Sequence, residues 1–154
     1  MLRRSGTAAL VVALILIVGA TVASAAPASS GKTLTIVERA TTDTVVDLGA
    51  AGDTIGDMLT FGNDVYNAAN TTKVGRDESV CFRTNPGLAW ECTWTAILAG
   101  GSITVQGPFY DDLRDSQLAI TGGTGAYANS RGQMTLRARD ELGSEFDFVY
   151  HIIG

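Results

Sequence analysis

The chain is poor in the residues on which much enzyme chemistry depends. Among 154 residues it has one histidine, His151, and two cysteines, Cys81 and Cys92. One imidazole excludes a histidine-rich metal centre, and two thiols alone cannot complete a structural zinc site. His151 has no serine or cysteine nucleophile near it in sequence, so its plain reading is a packed or surface side chain. Positive charge is scarce too, with 11 Lys and Arg against 16 Asp and Glu. That balance argues against nucleic acid or an anionic membrane surface as a partner. No segment sustains helical periodicity, and the three prolines, Pro27, Pro86 and Pro108, are widely spaced.

One long apolar run is present, at the N-terminus. Arg3 and Arg4 precede apolar residues 7–23, and Ala23-Ser24-Ala25 precedes Ala26-Pro27. This is the pattern of a secretory signal peptide cleaved after Ala25; the run is short for a retained anchor. Residues 1–25 are therefore expected to be removed, 26–31 to form a mobile lead-in, and 32–154 to fold as one domain. Loss of Arg3 and Arg4 leaves nine basic residues against sixteen acidic ones, a formal charge near −7. The mature chain is expected outside the cell, with no membrane contact after the leader is removed.

What the remainder has in quantity is period-two alternation. Residues 102–136 read as strand, tight connection, strand, glycine corner and strand. Ile103, Val105 and Phe109 share one face, residues 117–121 form the next strand, and Gly122, Gly123 and Gly125 supply the corner. Upstream, residues 32–39, 44–48 and 58–67 are candidate strands. Leu34, Ile36 and Glu38 oppose Thr35, Val37 and Arg39, which leaves the inner face of the first strand open. In the third, Asn63 shares a face with Leu59, Phe61 and Val65.

Residues 73–85 and 88–98 form a hairpin about Pro86-Gly87. Positions summing to 173 then face one another: Arg83 with Trp90, Cys81 with Cys92, Ser79 with Trp94. In an exported chain this spacing predicts a Cys81–Cys92 disulfide. A proline turn can add a bulge, however, and a bulge before the cysteines would turn them to opposite faces. Trp90, Cys92, Trp94, Ala96 and Leu98 form one buried face, as do Phe146, Phe148, Tyr150 and Ile152 in the last strand, 144–153. About eight strands without helices make the chain all-β, either a closed barrel or a sandwich. Successive hairpins favour an eight-stranded antiparallel barrel, because closure removes unpaired edges.

Several motifs lose to simpler readings. Gly123-Thr124-Gly125-Ala126-Tyr127-Ala128 has the form of a dinucleotide fingerprint, but a strand follows where that motif needs a helix. Asp111, Asp112 and Asp115 lack calcium-loop spacing and read as a solvated connection. Asn70-Thr71-Thr72 is formally a glycosylation acceptor. Glu38 reads as a solvated strand-end carboxylate, with an interior acid as the rival.

The segments Gly56-Asp57-Met58-Leu59, Phe61-Gly62-Asn63-Asp64-Val65-Tyr66, Val105-Gln106-Gly107-Pro108-Phe109 and residues 118–125, with Tyr127 and Gly132-Gln133 after them, resemble the allene oxide cyclase and dirigent barrel superfamily. The allene oxide cyclase side is the nearer of the two. The resemblance spans residues 56–153 and implies an eight-stranded barrel around an apolar cavity, assembled as a trimer. It implies no cofactor. Asn63 matches a family asparagine that holds a water near the substrate oxygen, and Cys81 matches a cavity-lining cysteine. The first strand departs: Thr35 and Val37 stand where the family has a glutamate and an asparagine, and the family proline is absent between Pro27 and Pro86.

These readings lead to an exported barrel that binds a small apolar molecule and steers its isomerisation or cyclisation. Asn63 would orient a water or substrate oxygen, with Phe61, Trp94 and Tyr110 lining the cavity. The alternatives are a non-catalytic binding or surface-interaction module and dirigent-like control of radical coupling. Sequencing the N-terminus of the exported protein should return Ala26 as its first residue. Recovery of intact Met1 would refute the leader.

Overall fold

The computed structural model describes residues 31–153, so the expected leader and most of the lead-in lie outside the described residues. Ten strands run in order: β1 (Lys32–Arg39), β2 (Thr44–Val46), β3 (Met58–Phe61), β4 (Asp64–Asn67), β5 (Lys73–Asn85), β6 (Ala89–Leu98), β7 (Gly101–Tyr110), β8 (Ser116–Gly123), β9 (Arg131–Ala138) and β10 (Glu145–Ile153). Every pairing is antiparallel. Starting from β1, pairing passes through β4, β5, β6, β7, β8, β9 and β10 and returns to β1. The sheet is a closed eight-position barrel, and the sandwich alternative is excluded. The short strands β3 and β4 lie in turn along β5, and β2 adds to the outer edge of β3.

Closure makes alternation strict, since each strand has an inside and an outside. The interior holds Ile36 from β1, Cys81 from β5, Trp94 from β6, Val105 from β7, Leu118 from β8, Met134 from β9 and Phe148 from β10. Burying side chains of this size stabilises by roughly 1.5 to 3 kcal/mol each. Phe148 and Trp94 meet edge to face with centroids 6.4 Å apart, and Phe148 meets Tyr150 at 6.5 Å. The open question in β1 resolves the same way: Leu34, Ile36 and Glu38 face inward. Val37 is also fully buried, on the opposite face, where it pairs with Tyr66.

The continuous strand expected at 58–67 is broken. Gly62 N donates to the side chain of Thr42, at Oγ1 (2.9 Å), instead of to a strand neighbour, and the Asn63 carbonyl accepts from Asp77 N (2.9 Å). The chain kinks there, and the break lets residues 40–43 cross beside it. At the other corner, Gly125–Tyr127 forms a three-residue 3₁₀ turn that leads directly into β9, so the dinucleotide fingerprint has no helix to open. Gly132, at φ 128°, is needed where β9 passes β10: a Cβ there would collide with the His151 carbonyl. His151 itself is exposed.

The β5–β6 hairpin keeps the predicted register. Cys81 pairs with Cys92, Ser79 with Trp94 and Arg83 with Trp90. The bulge that Pro86 raised as a risk does occur, between Arg83 and Asn85, on the turn side of the cysteines. They therefore remain opposed, with Cα atoms 4.0 Å apart, and are joined in a disulfide. Such bonds persist in oxidising compartments. With its ends 11 positions apart in the sequence, the bridge should stabilise by about 3 kcal/mol. Unfolded protein prepared without reductant should take up no thiol-alkylating reagent, and reduction should lower stability by that amount. Two free thiols before reduction would contradict the bridge.

Candidate functional site

The barrel mouth at the β5–β6 turn carries the polar chemistry. Its first component follows from alternation in β1: Leu34 and Ile36 face the core, so Glu38 must too. Its neighbours across the sheet are Val65 and Phe146, and it is only 3% exposed. The second component is Asn63, placed inside by the kink between β3 and β4. Its Nδ2 donates to Glu38 Oε1 (2.7 Å) and Asp43 Oδ1 (2.8 Å). Its Oδ1 accepts from Thr41 N, Thr42 N and Thr42 Oγ1, each at 3.0 Å. Both amide protons and both lone-pair directions are thus in use. Asn63 fastens residues 41–43 across the mouth and fixes the Glu38 carboxyl; it has no hydrogen-bonding capacity left for a ligand.

Glu38 and Asp43 form the acidic side of a cavity whose other walls are Phe61, Trp94, Phe109 and Phe146, floored by Leu59 and Leu136. The rings interlock: Phe61 and Trp94 have centroids 6.1 Å apart, Trp94 and Phe109 6.4 Å, and Phe109 and Phe146 5.9 Å. The closed cavity offers about 20 Å³ to the centres of water-sized spheres, room for a water molecule. A larger guest would need the residues around the cavity to give way.

Deeper in the barrel lies Asp77, fully buried opposite Ala96, with the Glu38 carboxyl as its side-chain hydrogen-bond partner. Tyr150 Oη and Trp94 Nε1 are buried and have no hydrogen-bond partner among the described residues. Burial pushes Glu38 well above the usual carboxylate range, and the nearby Asp77 charge adds to it. Burial likewise pushes Asp77 up to about 7. Tyr150 rises for the same reason, reinforced by Asp77 and Glu38. The interior therefore keeps protons that the same groups would release in water.

Around the rim the charges are compensated. Arg83, 8% exposed, pairs through Nε with Asp53 (2.6 Å) and through one terminal nitrogen with both oxygens of Asp111 (2.8 Å), while its guanidinium lies 3.9 Å from the centre of the Trp90 ring. Asp111 also accepts from Trp90 Nε1 (3.1 Å). Asp112 pairs with Arg114 and Asp115 with Arg137, so the aspartates of this connection are engaged by arginines. Asp57 accepts from Thr54 N and Leu48 N, both at 2.8 Å, which holds it below the usual range and pins the 47–57 loop. Asn70, in the formal acceptor triplet, donates its Nδ2 to Glu145 Oε1 (2.9 Å) and accepts from Arg39 Nε (3.0 Å).

Of the residues singled out in the sequence, Asn63, Phe61 and Trp94 come together at the mouth, and Cys81 and Cys92 bridge beneath it. Tyr110 does not join them. It alternates with the inward Phe109, and its ring lies on the outer face beneath the Arg114 guanidinium, 3.8 Å away. Asn63 is present but ties protein to protein instead of offering an amide to substrate. Glu38, expected to be solvated, is interior: once the neighbouring strands turn Ile36 to the core, period two carries Glu38 with it. Asp77 escaped notice although its pairing with Ala96 obeys the same sum of 173 that aligned the cysteines.

No family model matches the chain. Among solved structures, it is similar to a pyocyanin demethylase at 28% identity and TM-score 0.65, covering 77% of this chain and all of that one. The pterocarpan synthase dirigent protein PsPTS1 matches at 15% identity and TM-score 0.64 over 82% of this chain and 99% of its own. The Diels-Alderase AbmU from Streptomyces koyangensis matches at 12% identity and TM-score 0.62, over 79% of this chain and 63% of its own. The last two likenesses are of fold alone. The fold is thus one shared by dirigent proteins and cycloaddition barrels.

The interior carboxyls fix a pH dependence. Asp77 has an ordinary value of 3.8 and about 7 in the fold, so the folded state holds its proton more tightly. Stability must fall as pH rises through that window, and Glu38 acts in the same sense. Asp57, depressed in the fold, acts oppositely and costs stability only at more acidic pH. Melting temperature should therefore peak between about pH 4 and 5. Asp77→Asn should flatten the decline toward pH 8 by a few kcal/mol; an unchanged slope in that variant would contradict the assignment.

Proposed function

We propose that the protein binds one small unsaturated molecule in the mouth cavity and steers its isomerisation or cyclisation by confinement. Glu38 is the polar anchor in this reading, and Phe61 and Trp94 are part of the apolar wall. The observation that carries it is the Glu38 carboxyl, nine-tenths buried on an aromatic cavity wall and held in one orientation by Asn63. No nucleophile or cofactor is needed for such chemistry. Walls of this kind select a folded conformer of a flexible guest, and one placed carboxyl meets charge or a proton where the guest develops it.

The similar structures support this class of activity. Their names refer to a demethylase of a small molecule, a pterocarpan synthase dirigent protein and a Diels-Alderase. The resemblance to allene oxide cyclases supports an isomerase or cyclase over dirigent coupling, although Glu38 takes the place of the family's own first-strand groups. We further propose that residues 1–25 are a leader, 26–31 a lead-in and 32–154 the barrel, exported and assembled as a trimer. The disulfide and the A-S-A site support export; the trimer rests on the resemblance.

Denaturing protein purified from its native source and examining the extract by mass spectrometry should reveal one co-purifying unsaturated molecule. Its conversion by the refolded barrel, slowed at least tenfold in Glu38→Gln, would mark catalysis. Binding without conversion would make the protein a carrier or interaction module. If nothing co-purifies and no flat unsaturated compound quenches the tryptophan fluorescence saturably, the reading falls.

A further inference from the structure

The lining of the mouth cavity is unbalanced in charge. Glu38 and Asp43 both face it, and no lysine, arginine or histidine does. The nearest arginines along the chain are engaged elsewhere. Arg39 holds Asn70 and stacks on Tyr66, with its guanidinium 3.8 Å from the ring centre; Arg83 holds Asp53 and Asp111. The two cavity carboxyls share a single protein donor, Asn63 Nδ2.

The aromatic residues divide the same way. Tyr66, Trp90 and Tyr110 each carry an arginine over the ring at 3.8 to 3.9 Å. The cavity rings Phe61, Trp94, Phe109 and Phe146 carry none among the described residues; they pack against one another and line the cavity. An aromatic face attracts a cation through the ring quadrupole, most strongly where water is excluded. Four such rings beside two carboxyls form a box for positive charge on a flat body.

Resting on the reading of the mouth cavity as the binding site, we propose that its ligand is a flat organic cation, an N-alkylated heteroaromatic ring or a protonated aryl amine. Its charge lies between Glu38 and Asp43, and its ring slides among the four aromatic side chains. The groups facing Glu38 are Asp43 from the mouth crossing, Asn63 from the β3–β4 kink, Asp77 from β5 and Tyr150 from β10; Val65 and Phe146 beside it are apolar. None of these is a cation. A bound cation is therefore the group that favours the ionised carboxyl, so binding releases a proton and strengthens as pH rises.

The test uses three two-ring probes of nearly one shape: N-methylquinolinium, 2-methylnaphthalene and 2-naphthoate, titrated against the intact barrel by tryptophan fluorescence and calorimetry. The cation should bind at least tenfold more tightly than the neutral probe, and the anion most weakly. Cation affinity should rise with pH, with proton release evident from calorimetry in buffers of different ionisation heat. Asp43→Asn, at an exposed loop position, should weaken the cation severalfold and leave the neutral probe unchanged. Glu38→Gln should do the same and also abolish the proton release. Neutral binding equal to or tighter than cation binding overturns the charge assignment and leaves the binding site standing. Failure of all three probes to bind folded wild-type protein overturns both.

Discussion

Everything at the mouth of this barrel depends on the side-chain amide of Asn63. Five hydrogen bonds converge on it from two parts of the chain, the end of β1 and the crossing at 41–43, and tie both to the kink between β3 and β4. Each contributes about 1 kcal/mol net, but the larger effect is what would happen without them. The Glu38 carboxyl and two backbone N–H groups would lose their partners at once, and the crossing would have nothing to hold it over the cavity. The backbone carbonyl of the same residue takes the Asp77 amide, so one residue sets both the rim and the depth of the polar channel.

The interior is unusual in what it does not satisfy. Tyr150 and Trp94 place polar atoms inside a hydrocarbon core with no hydrogen-bond partner among the described residues, and Asp77 has only another carboxyl, Glu38, beside it. A barrel meant only to be stable would replace them with carbon, since each orphaned group costs about 1 to 3 kcal/mol. Groups retained against that cost cluster where chemistry or recognition occurs. Their line runs from Asp43 at the rim through Glu38 to Asp77 and Tyr150, whereas Arg83, Asp53 and Asp111 beside it are mutually neutralised. Inside the barrel the acidity is left without a cationic side chain among the described residues.

How much could be read from the sequence follows from which constraints are local. The hairpin sum of 173 aligned Cys81 with Cys92, Ser79 with Trp94 and Arg83 with Trp90 because one turn sets a whole register. The same sum holds for Asp77 and Ala96, so that buried acid was legible too, had the pairing been followed to its far end. Tyr110 was also decidable: period two puts it outside once Phe109 is inside. The first strand was not decidable, since Ile36 and Val37 are both apolar and only the strands beside them choose the face. Nor was the break at Gly62-Asn63, which depends on Thr42, some twenty positions earlier. The family resemblance pointed to Asn63, but which groups saturate its amide is a property of the assembled mouth.

The disulfide has a mechanical meaning besides its effect on unfolding. By riveting β5 to β6 it stiffens one seam of the cylinder, a seam already carrying ten paired positions. The seam between β1 and β4 carries four, and beyond Arg39 the chain leaves the wall altogether. The wall is thus unevenly tied: sulfur holds one seam, and two seams round the cylinder a four-pair edge gives way to the 41–43 crossing.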